Sequence, residues 1–308
     1  MAHIRFITCQ SLDGYFFDAR QPALTIDDMI LHDELVSRGH SVTPLVWSSD
    51  EANDPTGDLL LVRSPWDYFE RPEEFKVWLL KMQGQNKPLF NRAEDILWNL
   101  KKNYLSEFEQ AGIAIVPTLF LAKGEHLSGD FFAEIGVQDL VLKPQEGANA
   151  FLTERLCHLS SQDALAKINQ ALKERDFMLQ PFLPQIIDEG EWSLVYFNGK
   201  YSHGFLKSPK KGDFRVQEEH GGSLYTLEVG ENLIFAADKV MGMLNQAPLY
   251  ARVDGVVVDG KFLLMELEMF EPELYFRVSD SAAPNMADAI EDLLVKAATN
   301  TNTSIQSK

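Results

Sequence analysis

Several common signatures are missing from this chain. It has two cysteines, Cys9 and Cys157, far apart and outside any CxxC spacing, so neither a disulfide framework nor a zinc site is indicated. It is poor in positive charge, with 28 Lys and Arg against 46 Asp and Glu and a net charge of −18. That balance argues against a chain-wide nucleic-acid or acidic-membrane binder, because phosphate backbones are gripped by clustered cations. It leaves room for a small phosphate ligand held by a few local cations. No apolar run approaches the roughly 20 residues of a membrane helix. The opening MAHIRFITCQ has no charged region followed by a long apolar run, so no signal peptide is expected and the expected location is the cytoplasm. The patterns GxxxxGK[ST], GxGxxG and GxSxG are absent, as is any internal repeat. What remains is 308 residues, 45% hydrophobic, enough for a large core shared by two or three subdomains.

The most informative stretch is Ala251 to Phe276, ARVDGVVVDGKFLLMELEMFEPELYF. Asp259-Gly260 between the apolar runs Val256–Val258 and Phe262–Met265 predicts a β-hairpin. Glu266 and Glu268, two apart on a strand, then share one face, and the hairpin returns Asp254 toward them. Three converging carboxylates repel one another unless a cation joins them, and carboxylate oxygen suits Mg²⁺. The bland alternative is a solvated strand face.

The preceding chain alternates. Ile4–Thr8, Val42–Trp47 and Leu59–Arg63 read as strands, with a helix over Ile26–Gly39 capped by Thr25, which predicts a parallel sheet. Loops at the carboxyl ends of such strands hold ligands. Arg63, Asp67 and Tyr68, in RSPWDY, therefore become candidate substrate contacts, unless Arg63 pairs Asp67 and the aromatics simply pack. Pro72 opens a helix to about Gln83. A second region starts near Arg92, with a helix after WNLKKNYL ending at Gly112 and an extended segment over Ile113–Leu121. Phe131–Ile135 reads as helix. Asp139–Lys143 reads as a strand that ends on a partly buried lysine, for which an anionic ligand is a natural partner. The small loop Gln145–Ala150, containing Gly147, suits close approach to phosphate. After a helix over Gln162–Lys173, Phe177–Phe182 reads as an edge strand because of Pro181 and Pro184. Glu191–Phe197 and Tyr201–Leu206 pair about Asn198-Gly199. They deliver Lys207 into the basic stretch KSPKKGDFR, either a solvated loop or an anion site, and Gly221-Gly222 permits close backbone approach. A helix from Thr226 or Glu228 to Leu244 and a final helix over Ala283–Ala298 complete the reading, with a polar, frayed tail from Thr299.

The phrases RSPWDY, WNLKKNYL, PQEGANAFLT, GEWSLVYFNGKYSHGFLKSP, GDFRVQEEHGG and LLMELEMFEPELYF, in that order over Leu59 to Phe276, resemble the ATP-grasp superfamily. The likeness is to its glutathione-synthetase-like and RimK-like branch, nearest to ligases of the cycloserine-biosynthesis type. The resemblance implies a mixed α/β and α+β architecture: an α/β pre-grasp domain over 1–92, a central lid over 93–180 and a C-terminal mixed-sheet domain over 181–308. It implies that Lys102 and Lys143 hold nucleotide phosphates, and that the Gly147 loop is a lid. Gln180, Pro181, Phe182 and Leu183 would meet adenine. Glu191 would meet ribose, with Asp188 and Glu189 as competitors. Lys207 and Arg215 would be the catalytic cations, Asp254, Glu266 and Glu268 the metal ligands, and Gly221 and Gly222 substrate contacts. One departure stands out, because relatives carry Glu-x-Asn where this chain has Glu266-x-Glu268.

The implied activity is ATP-dependent joining of a small, amino-acid-like carboxylate to an amine through an acyl phosphate. ATP and Mg²⁺ (or Mn²⁺) are the expected cofactors, with two ions. The partners would be the two small molecules, with no nucleic acid or membrane, and a homodimer stays open. A kinase, an intramolecular cyclo-ligase or a non-catalytic nucleotide-binding protein are the alternatives. His203 and His220 flank the basic loop, as packing or substrate-contact residues or as a general base.

Overall fold

The computed structural model describes residues 1–10, 17–129, 131–137 and 139–305. Its first layer is β1 (His3–Thr8), the short pair β2 (Phe17–Asp18) and β3 (Gln21–Thr25), α1 (Ile26–Ser37), β4 (Ser41–Val46), β5 (Leu59–Ser64), α2 (Pro72–Gly84) and β6 (Leu89–Phe90). Thr25 caps α1 by accepting from the Asp28 amide at 2.9 Å. Gly39 follows its end at φ +88°. Crossovers through these helices yield the expected parallel sheet, in the order β4-β1-β5-β6.

Two short helices follow, α3 (Ala93–Asn99) and α4 (Tyr104–Gln110), and Lys102 lies in the turn between them. The expected strand over Ile113–Leu121 is mostly irregular. Only β7 (Leu119–Leu121) pairs in the next sheet, while Ile115 makes a lone parallel bridge to Leu264. The second sheet continues with α5 (Phe131–Ile135), β8 (Leu140–Pro144), β9 (Glu154–Arg155), α6 (Ser161–Ala171) and β10 (Phe177–Pro181), in the order β7-β10-β8-β9. β10 is therefore internal, not an edge. β7 pairs it only from Phe177 to Leu179, so Pro181 falls beyond that ladder and its missing N–H costs nothing there.

The third sheet is built from α7 (Gln185–Asp188), β11 (Glu191–Phe197), β12 (Lys200–Ser208), β13 (Ser223–Tyr225), α8 (Glu231–Gly242), β14 (Tyr250–Val258), β15 (Lys261–Glu268) and α9 (Ala282–Ile305). Its order is β13-β12-β11-β14-β15, the five strands pairing antiparallel and the lone Ile115 bridge adding a parallel contact at β15. Both expected hairpins form. Asn198, Gly199, Asp259 and Gly260 all have φ between +48° and +74°, as two-residue turns matched to strand twist require. α8 starts at Glu231, later than Thr226 or Glu228, because β13 keeps the chain extended up to Tyr225 and residues 226–230 are irregular. α9 continues past Ala298 through residues assigned to the tail, up to Ile305. The remaining tail residues lie outside the described chain.

The cores do not follow the sheets one to one. Ile4 and Phe6 of β1 share a cluster with Phe197, Phe205 and Tyr250 of the third sheet and Ile290 of α9. Tyr104, Leu105 and Phe108 of α4 pack on Val253 and Leu267, so α4 belongs to the third sheet's core. The second sheet has its own core around Leu142, Ile168 and Leu179. Among the described residues, no helix is long and apolar enough to cross a membrane.

Candidate active site

A cleft runs between the second and third sheets. The second sheet contributes Lys143, the loop Gly147–Phe151 and the exit Gln180–Leu183. The third contributes Glu191, Lys207, Arg215, Arg252, Asp254, Glu266 and Glu268. Lys102 and Trp66 also line it. One part of the wall is apolar, with Val116, Val141, Leu183, Ile186 and Met265. The other is ionic, with five Lys or Arg against seven Asp or Glu. An apolar slot beside a charged channel suits a base with a phosphate tail, and the excess of carboxylate means that an anion entering must bring a cation with it.

Strand register builds the ionic wall. Asp254 lies opposite Glu266, and Arg252 opposite Glu268, across the β14–β15 ladder. Glu191 lies opposite Lys207, and Ser193 opposite Asp254. Arg252 donates Nη2 to Asp254 at 2.8 Å and to Glu268 at 2.7 Å. Asp254 also accepts from Ser193 Oγ at 2.6 Å. Burial works against the Asp254 charge, but Arg252 and Lys207 outweigh it and bring its carboxyl down to about 2. Lys207 bonds Glu191 at 2.6 Å and reaches Asp254 at 3.6 Å. Burial opposes its charge too, yet these carboxylates raise its pKa. Lys102 bonds Glu266 at 2.9 Å and the Gly147 carbonyl at 2.7 Å, tying the small loop to the third sheet's face. Against burial, Glu266 holds its pKa up.

Lys143 differs from these lysines. Among the described residues its ammonium has no hydrogen bond or ion pair, and burial lowers its pKa. Glu268 is pushed well above the ordinary value by burial, with Glu266 and Asp254 adding repulsion that Arg252 only partly relieves. A lysine without an anion and a carboxylate crowded by its own charge face one cleft.

For Mg²⁺, the donor set is narrower than expected. Among the described residues no three Asp, Glu, His or Cys side chains are grouped to hold a metal ion as they stand. Both Asp254 oxygens are taken, by Arg252 and Ser193. Glu266 and Glu268, on one face of β15 and both lining the cleft, fit a divalent cation best, because each is a hard oxygen donor with a second carboxylate oxygen beyond the Oε1 bonded by Lys102 or Arg252.

Five expected substrate contacts lie off the cleft wall. Arg63 is buried and donates Nε to Asp28 at 2.8 Å, not to Asp67. Asp67 is held by Trp47 and Arg71, and Tyr68 is buried with its hydroxyl on Glu271 at 2.6 Å. The smallness of Gly221 and Gly222 is explained by their own chain. A Cβ on Gly222 would stand 2.0 Å from the Val216 carbonyl, and one on Gly221 would stand 3.0 Å from the Lys210 side chain. Gln180 lines the cleft, and its side-chain amide donates to Thr118 Oγ1 at 2.8 Å. Of the three acids expected near a ribose, Glu191 lines the cleft, whereas Asp188 and Glu189 are exposed and outside it. His203 is buried, with Nε2 on the Leu274 carbonyl at 2.8 Å, and burial lowers its pKa to about 4.

Sequence reasoning missed Arg252, Glu271, Glu273 and Tyr275, all on the cleft wall. Arg252 was findable, since it stands two residues before Asp254 on one strand and so shares its face. Glu271 and Glu273 follow the strand's end, where no periodicity predicts a direction.

A parallel α/β layer followed by two sheets that close on an ionic cleft is the ATP-grasp fold, and the chain has it. The structure of a RimK domain ATP-grasp protein from Sphaerobacter thermophilus matches with a TM-score of 0.65 at 15% identity, over 92% of this chain and 98% of that one. Within this fold the chain is similar to D-cycloserine synthetases. Residues 4–91 match the family described as D-cycloserine synthetase DcsG, N-terminal domain. The cycloserine biosynthesis protein DcsG of Streptomyces lavendulae is 26% identical over 261 residues, 80% of this chain and 85% of the relative. The crystal structure of D-cycloserine synthetase DcsG matches with a TM-score of 0.79 at 23% identity, over 95% of this chain and 99% of that one.

Proposed function

We propose that the protein is an ATP- and Mg²⁺-dependent, ADP-forming ligase. It joins a small amino-acid-like carboxylate to an amine through an acyl phosphate. The observation that carries this reading is Lys143, unpaired among the described residues, lining one cleft with the carboxylate pair Glu266 and Glu268. Phosphoryl transfer asks a protein for alignment and charge neutralisation more than for covalent chemistry. In this reading the apolar slot around Val141, Ile186 and Met265 takes the base, and Lys143 takes a phosphate oxygen. Glu266 and Glu268 would hold Mg²⁺, which would supply neutralisation of phosphate charge. Lys207, Arg215 and Arg252 supply the cations nearest the carboxylate being activated. Lys207 and Arg252 are already anchored by Glu191 and Asp254, so they need little reorganisation when charge develops. The Gly147 loop, fastened through Lys102, excludes water.

A second reading is a cyclo-ligase, in which amine and carboxylate belong to one molecule. The likeness to D-cycloserine synthetase favours it over a kinase.

The test is Mg·ATP binding followed by thermal unfolding. Wild-type protein is stabilised, by about 2.7 kcal/mol at a ligand concentration 100 times Kd. Lys143→Ala loses most of that shift while its melting temperature without nucleotide holds. Glu266→Gln keeps the fold and loses ADP formation by at least about 100-fold, a barrier increase of roughly 2.7 kcal/mol. Absence of any Mg·ATP shift in wild type would overturn the reading.

A further inference from the structure

The wall of the cleft toward the parallel layer carries a carboxylate that the nucleotide chemistry does not use. Trp66, in the loop after β5, and Glu271, just past β15, both line the cavity. The two are fixed to each other's segments. Trp66 Nε1 donates to the Glu271 carbonyl at 2.9 Å, and the buried Tyr68 hydroxyl donates to Glu271 Oε1 at 2.6 Å. The second carboxylate oxygen, Oε2, is buried and has no hydrogen-bond partner among the described residues. Nearby cations are committed elsewhere. Arg252 serves Asp254, Glu268 and the Glu273 carbonyl, and Lys102 serves Glu266 and the Gly147 carbonyl. A buried carboxylate oxygen left without a partner is costly. One held rigidly on a cavity wall is ready for a partner from outside.

The partner's chemistry follows from the donor count. A metal ion takes several oxygens at once, whereas Glu271 offers one, its other being held by Tyr68. An ammonium group is satisfied by single acceptors, and Trp66, tied to the Glu271 carbonyl, lines the same cavity with a ring of the kind that cations favour. We propose that Glu271 is the anchor for a free amino group of the substrate, so that the cleft selects molecules carrying a cationic amine over their hydroxyl counterparts. This names the substrate class of the ligase reading and rests on it. Tyr68 acts as a positioning residue, through Glu271.

The experiment measures binding by calorimetry, with and without saturating Mg·ADP. The probes are a panel of D- and L-amino acids paired with their 2-hydroxy acids. At least one amino acid binds wild type tenfold or more tightly than its 2-hydroxy partner. Glu271→Gln, whose amide oxygen still accepts from Tyr68, brings that ratio within twofold and keeps the Mg·ADP-induced thermal shift. Glu271→Asp, which keeps the charge, retains part of the preference. A panel in which no amino acid outbinds its hydroxy partner overturns the anchor, and so does a preference undiminished in Glu271→Gln. Failure of Mg·ADP to stabilise wild type is a separate result and strikes the ligase reading alone, because the amine preference is also read without nucleotide.

Discussion

At the residue scale, the site depends on which charges have partners. Among the described residues Lys102 and Lys207 are paired, whereas Lys143 is not. Residue type and position were enough to nominate Lys143, because a lysine ending an apolar strand needs an anion, whereas Lys207 stood out through the basic stretch after its hairpin and Lys102 only through the resemblance. Sequence could not show that Asp254 is spent on Arg252 and Ser193, since a hydrogen bond to Ser193 depends on the register of a strand some 60 residues away. His203 separates a structural role from a catalytic one. Its burial lowers the pKa from 6.5 to about 4, so the folded state holds it neutral. As pH falls through 6.5 the unfolded chain takes up the proton first. Stability from this group is therefore complete above about pH 6.5 and is lost toward pH 4, by about 3 kcal/mol. Thermal unfolding between pH 7 and 5 should fall more steeply for wild type than for His203→Gln. Equal slopes would show that the imidazole is not held neutral.

At the element scale, the hairpin β14–β15 was legible because Asp-Gly between apolar runs states both the turn and the register, and the same held for β11–β12. β10 was misread as an edge because a proline reports only where an N–H is missing. It does not report how far the neighbouring strand extends. The substrate contacts expected after β5 lie off the cleft wall for a related reason. A loop at a strand's carboxyl end can turn inward, as Tyr68 does onto Glu271. The β11–β12 pair makes its own prediction. Gly190 has φ +97°, and a Cβ there would stand 2.6 Å from the Lys207 carbonyl. Backbone cannot yield as a side-chain tip can, so Gly190→Ala should cost about 2–4 kcal/mol and weaken Mg·ATP binding by parting Glu191 from Lys207. Gly39→Ala, at φ +88° with nothing within 4 Å, should cost about 1 kcal/mol and leave binding unchanged. Chemical denaturation of the two variants distinguishes a clash from simple backbone strain.

At the scale of the whole molecule, the first and third sheets are one folding unit, because β1, β11, β12 and α9 share a core. The second sheet packs around its own cluster and covers the cleft. Native-state hydrogen exchange should therefore show β7, β8 and β10 opening at lower free energy than β1 and β11, which should open together. Separate opening of β1 and β11 would contradict the shared core. The three-layer plan was readable from alternating elements and ordered motifs. The shared core was not, because it joins residues at both ends of the chain through contacts that no local pattern encodes. The cleft between the layers is the reason for the arrangement, and its proposed chemistry is the central claim. The most direct measurement incubates the protein with Mg·ATP and the amino-acid panel, then follows ADP and products together by mass spectrometry. The account predicts ADP and phosphate formed in equal amounts with a condensed product, one water lighter than its parts. A phosphorylated amino acid as the final product, or no ADP with any member of the panel, would contradict it.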